Sequence, residues 1–170
     1  MPERREILFQ NIFRMKTKIP GKIMTFKEAV EATPDVANGY QSGLNAIENK
    51  YRNRIQVSNT RLLNGSVDID SCTTCLYPND NRWDYAFSYN QKVYFMEVHS
   101  ANTHEVSVVL SKLKWLKDWL VQHAPDINKL KAPQPYFWIQ SKGFAVLPTS
   151  PQYKNMVQKG LKPIAILKLK

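Results

Sequence analysis

Asp84, Glu97 and His99 are the residues of this chain whose types and spacing best suit chemistry. They bracket two aromatic-rich runs, Arg82-Trp83-Asp84-Tyr85-Ala86-Phe87-Ser88-Tyr89 and Lys92-Val93-Tyr94-Phe95-Met96-Glu97-Val98-His99-Ser100, joined by Asn90-Gln91. A hairpin folded at Asn90-Gln91 sets the start of the first run beside the end of the second, which brings Asp84 and Glu97 to one sheet edge. Glu97 and His99 are two residues apart, so their side chains share a face. Magnesium takes hard oxygen ligands, commonly one or two carboxylates with waters and a phosphate. Asp84 and Glu97 would supply the carboxylates, and the Val98 carbonyl a third protein oxygen. Such an ion polarises a phosphodiester and makes a bound water more acidic. Carboxylates at strand ends are often no more than solvated groups. Glu97, however, follows the apolar run Val93-Tyr94-Phe95-Met96, where an unpaired charge is costly.

The elements that must position these residues can be read from the surrounding pattern. Thr25-Phe26-Lys27-Glu28 is a capping box, opening a helix that ends before Pro34. Gly39 to about Arg54 is expected as a second helix, with Leu44, Ile47, Tyr51 and Ile55 on the helical period and Glu48 beside that stripe. From Gln56 to Ser100 the pattern is one of strands: Gly65 to Asp70 alternates, and the two aromatic runs follow. Asn102 to about His123 is the strongest helix, with Val106, Val109, Leu110, Leu113, Leu116 and Leu120 on one face and a cap from Asn102 and Glu105. Pro135 to Gln140 reads as a buried strand able to return parallel to the sheet, and Ile164 to Leu169 as a last strand. Near the start, Ile7, Leu8, Phe9, Ile12 and Phe13 suit a short helix before Pro20-Gly21. This order predicts a single α/β domain over residues 1–170. Within it, residues 1–38 form an N-terminal helical extension, about 40–140 the core, and 141–170 a C-terminal strand segment.

The bulk composition is that of a globular chain, with 43% hydrophobic and 11% aromatic residues over 170 positions. Twenty-four Lys and Arg against 14 Asp and Glu leave a net charge of +10. That excess favours polyanionic partners, nucleic acid first. No apolar run approaches the roughly 20 residues of a membrane span. The N-terminus lacks the apolar centre of a signal peptide, and two cysteines suit a reducing compartment. A cytoplasmic protein without a membrane partner is the expectation, and a homodimer is admitted by these features.

Asp84 at the head of one strand, and Glu97-Val98-His99 at the end of the next, resemble the PD-(D/E)XK nuclease superfamily. A helical Glu precedes them in Glu48, and a helix and returning strand follow. The resemblance covers about residues 40–140 and implies a restriction-endonuclease-like core, with a mixed central sheet flanked by helices. It implies a Mg²⁺- or Mn²⁺-dependent endonuclease, a hydrolase of phosphodiester bonds, with DNA as the expected polymer. Asp84 and Glu97 would bind metal, and Glu48 would hold a second ion or its water. Two letters depart from the pattern: Trp83 replaces the motif proline, and His99 stands where the motif has lysine. Lysine orients or activates the attacking water and neutralises phosphate charge, whereas a neutral histidine accepts a proton but brings no fixed cation. His99 would replace the lysine as base or extra ligand, or Lys112 on the following helix would reach back to supply the charge. The alternative is a weakened or inactive nuclease-fold protein that binds nucleic acid or a protein partner.

Three other groups compete for attention. Cys72-Thr73-Thr74-Cys75 is half of a zinc site, which His99, His104 or His123 would have to complete; two packed thiols are the simpler reading. Trp115 and Trp119, interleaved with Lys112, Lys114 and Lys117, could stack on bases, but their i, i+4 spacing favours core packing. Arg4, Arg5, Arg14, Lys16, Lys18 and Lys22, then Arg52, Arg54 and Arg61, then Lys159, Lys162, Lys168 and Lys170 would make salt-dependent phosphate contacts as a set.

Overall fold

The computed structural model describes residues 21–170. The short helix expected around Ile7 to Phe13, and the basic residues Arg4 to Lys18, lie outside them. The first described helix, α1 (Phe26–Glu31), begins on the capping box. Thr25 Oγ1 accepts from the Glu28 amide at 3.2 Å and Glu28 Oε2 from the Thr25 amide at 2.9 Å. Two amide donors that the first turn leaves free are thereby satisfied. Its buried face is Phe26, Ala29 and Val30.

The expected helix from Gly39 to Arg54 does not form. Gln41–Ser42 is instead a short strand, β1, and only Asn49–Arg52 is helical (α2), followed by β2 (Ile55–Val57). β1 pairs antiparallel with β3 (Leu63–Asp68), Gln41 opposite Ser66 and Ser42 opposite Gly65. Gly43, at φ 55°, then turns the chain by a backbone conformation that a helix interior does not use. The apolar spacing was real but served a different end. Ile47 and Ile55 are buried in one cluster that Leu44 and Tyr51 border, reached by a loop that wraps the sheet.

The hairpin forms as the sequence predicts. β4 (Tyr85–Tyr89) and β5 (Lys92–His99) pair antiparallel from Tyr85–Met96 to Tyr89–Lys92. Asn90 and Gln91 take φ of 47° and 63°, the two positive values of a type I′ turn. Between β3 and β4 lies α3 (Ile69–Thr73), capped by Asp68, so the alternation expected through Asp70 stops at Asp68. After β5 come α4 (Val106–Gln122), α5 (Pro125–Lys129) and β6 (Lys131–Gln140), and β6 returns parallel to β5. The last segment contains α6 (Pro151–Gln158) as well as the strand β7 (Leu167–Leu169).

The sheet order is β1-β3-β4-β5-β6, and β2 and β7 form a separate parallel pair. The final strand thus covers the main sheet instead of extending it. One face carries α1, α4 and α5, packed on Val67, Val93, Phe95 and Trp138. The other is covered by Ile47, Ile55 and Leu167, packed on Phe87, Met96 and Ile139. Every residue of β4 is buried. A strand covered on both sides has no use for a polar face, which explains its near-continuous apolar run. The described residues form one mixed α/β domain, a five-stranded sheet between layers. Among them no helix is long and apolar enough to cross a membrane.

Candidate active site

The β4–β5 register sets Asp84 and Glu97 across from each other, one step beyond the Tyr85–Met96 pair. Their backbones and side chains interlock. The Asp84 amide donates to Glu97 Oε2 at 3.1 Å, and the Val98 amide donates to Asp84 Oδ2 at 3.0 Å. Each carboxylate is left with one oxygen, Asp84 Oδ1 and Glu97 Oε1, and both receive the ammonium of Lys112. Lys112 Nζ lies 3.3 Å from Asp84 Oδ1 and is in direct contact with Glu97 Oε1. Helix α4 brings it there. Its apolar face, with Val109, Leu113 and Leu116 buried, seats the helix on the sheet and leaves Lys112 at the margin above the strand ends.

Glu97 is fully buried. Burial pushes its carboxyl well above the usual range and Asp84 adds repulsion, while Lys112 and the Asp84 amide pull the other way. Asp84 is also raised, mainly by burial, against the opposing pull of Lys112 and the Val98 amide. Burial alone would lower Lys112, but the two carboxylates reverse that and hold it above its ordinary value. All three directions agree: the cluster binds protons more tightly than its members would apart.

His99 lies at the end of β5, on the same face as Glu97, with Nδ1 3.9 Å from Glu97 Oε1. Its Nε2 is 2.7 Å from Glu105 Oε2. Glu105 is the functional candidate that sequence reasoning placed elsewhere, as part of a helix cap with Asn102. Neither side chain caps: a short 3₁₀ turn, Thr103–Glu105, precedes α4, and no side-chain bond closes either start. The available signal was a carboxylate six positions beyond a strand-end histidine, at the head of the next helix.

Glu48 is not in the cluster. It stands at the start of α2, its side chain 58% exposed and 3.0 Å from Lys50 Nζ. Its charge is felt instead by Asp68 and Tyr85, each raised first by burial. Val98 enters through its amide, not as the carbonyl ligand of the sequence reading. Among the described residues, no group of three or more His, Cys, Asp and Glu side chains is arranged to hold a metal ion. Two convergent carboxylate oxygens nevertheless match the sparse protein donor set of Mg²⁺, which keeps several waters. The Lys112 ammonium occupies the space between Oδ1 and Oε1.

Of the remaining candidates, Cys72 and the two tryptophans pack into the fold. Cys72 lies in α3, its thiol pushed up by burial, and Cys75 is exposed just beyond; both are free. Trp119 is buried and donates from Nε1 to Asp35 at 2.9 Å, Trp115 donates to Asp80 at 3.0 Å, and the two rings stack. No family model, no curated protein and no solved structure matches this chain.

Proposed function

We propose that the chain is a metal-dependent phosphodiesterase of nucleic acid, an endonuclease of the PD-(D/E)XK type with DNA as its polymer. The observation that carries this reading is Lys112 Nζ between Asp84 Oδ1 and Glu97 Oε1, a cation supplied from α4 where the motif lysine is replaced by His99. Asp84 and Glu97 would hold a Mg²⁺ or Mn²⁺ ion, whose chemistry there is to polarise the phosphoryl oxygen and acidify water. The protein supplies the rest. The interlocked amides of Asp84 and Val98 fix both carboxylates before substrate arrives, so no reorganisation is needed at the moment of reaction. With such an ion on its carboxylates, Lys112 would be free to face the phosphate and offset the charge that develops on the phosphoryl oxygens. The apolar layers around Glu97 keep the local dielectric low, which strengthens each of these interactions. The net charge of +10 draws the polyanion to the surface.

Asp84→Asn and Glu97→Gln preserve shape and one acceptor oxygen, which can keep the bond to the facing amide, while removing one charge and one of the two acceptors each. Each is expected to cut Mn²⁺-dependent cleavage of plasmid and single-stranded DNA by about 10²–10³-fold. Salt-dependent DNA binding measured in EDTA should be unaltered. Cleavage that survives both substitutions removes these residues from the site. The same Lys112 contact favours a second reading, a nuclease-fold protein that binds DNA without cutting it, because the lysine satisfies the carboxylates that a metal would need. Tight DNA binding with neither Mn²⁺ uptake by calorimetry nor cleavage by the wild-type protein would select that reading.

A further inference from the structure

Glu105 ends the 3₁₀ turn that leads into α4, its backbone already helical, and its side chain caps neither element. Its carboxylate holds His99 Nε2 at 2.7 Å. The histidine is fixed from behind as well, its backbone carbonyl accepting from Trp138 Nε1 and from the Ser141 amide, each at 3.1 Å. An ionised carboxylate can only accept, so the proton of a neutral His99 ring lies on Nε2 and the lone pair on Nδ1. That lone pair faces Glu97 Oε1 across 3.9 Å. The gap between the two acceptors has the width that one water would need to donate a hydrogen bond of about 2.8 Å to each.

We propose that Glu105 is a positioning residue: by holding Nε2–H it aims His99 Nδ1 at the water that attacks the phosphodiester, beside Glu97. The proposal rests on the phosphodiesterase reading and assigns the base within it. As the water oxygen bonds to phosphorus, one water proton passes to Nδ1. The P–O bond to the departing nucleoside breaks, and the oxygen that leaves takes a proton from solvent. The imidazolium then returns its proton to solvent. Fixing the acceptor in this way supplies the orientation a flexible lysine would otherwise provide.

The experiment compares wild type with Glu105→Ala and Glu105→Gln. In metal-free protein, at a pH where the ring is neutral, NMR of imidazole labelled with nitrogen-15 should show a His99 Nε2–H proton shielded from solvent exchange. Glu105→Ala should lose that signal and Glu105→Gln, whose amide oxygen accepts in the same place, should keep it. In Mn²⁺, single-turnover cleavage should fall about 10²-fold in Glu105→Ala with KM for DNA unchanged, and recover largely in Glu105→Gln. A proton signal that persists in Glu105→Ala, or cleavage that Glu105→Ala leaves undiminished while wild type cuts, overturns the role of Glu105 alone. Wild type that shows the signal but cuts no DNA overturns the phosphodiesterase reading, and the catalytic role falls with it.

Discussion

At the scale of single residues, Lys112 occupies the place where two carboxylates would otherwise repel each other. Its side chain is 16% exposed, against none for Glu97. Replacing it with methionine keeps the stem and removes the charge. Glu97 can then take up a proton, which its raised pKa already favours, so the loss in stability is expected to be moderate, about 1–3 kcal/mol. Mn²⁺ should raise the melting temperature of Lys112→Met more than that of wild type, because the ion no longer competes with an ammonium. A melting temperature of Lys112→Met indifferent to Mn²⁺ would mean that Asp84 and Glu97 do not hold a divalent ion. Much of this cluster could be read from the sequence, since Asp84 and Glu97 are joined by a local hairpin and Lys112 lies on the next helix. For Glu105 the sequence signal was ambiguous, because its residue type and position suit a helix start equally well. Only the observed course of Asn102 to Val106 shows that its carboxylate turns toward His99 instead.

At the scale of elements, the hairpin was legible because aromatic runs and a two-residue polar connection are local signals. Gln91 is a compromise within it. A left-handed conformation burdens any residue with a Cβ, and a type I′ turn favours Asn followed by Gly. Gln91→Gly keeps the amide that donates to Asn64 Oδ1 at 3.1 Å. It should stabilise the protein by about 0.5–1 kcal/mol and raise the midpoint of thermal unfolding by about 1–4 °C. An unchanged or lower midpoint would show that the Gln91 side chain contributes something its φ does not reveal. The segment from Gly39 to Arg54 misled for the opposite reason. Apolar residues every three or four positions also suit a loop lying across a sheet. The strand pairing of Gln41 and Ser42, over a Gly65 that leaves room for the Tyr40 ring, depends on partners more than 20 residues away. Helix α6 carried a clear local signature, Ser150 as cap and Pro151 at the first position, but its single buried residue, Met156, gives little periodicity to detect.

At the scale of the whole molecule, charge and topology act together. Ser141, which donates to the His99 carbonyl, leads directly into the exposed Lys142, so under the proposed reading a DNA strand seated on the carboxylates would have that lysine within reach. Lys142→Gln should weaken DNA binding to a similar extent for all sequences and reduce the slope of log affinity against log salt by about one. Lys129→Gln, in which the lost charge is already paired with Asp126, should leave the slope in place. Equal slopes for wild type and Lys142→Gln would move the DNA path away from this end of the sheet. The outer strand β6 has a further consequence. Between the Val93–Lys131 and Phe95–Tyr136 pairs it runs five positions while β5 runs two, and Pro133 and Pro135 fall in that stretch. Its far half is held by Ile164, which bonds Trp138 and Gln140 at 2.9 Å each. Prolines carry no amide hydrogen and Ile164 claims groups that would otherwise be free, while among the described residues the opposite border is the two-residue β1. The borders of this five-stranded sheet, rich in aromatic strands, therefore offer little foothold for templated stacking into fibrils.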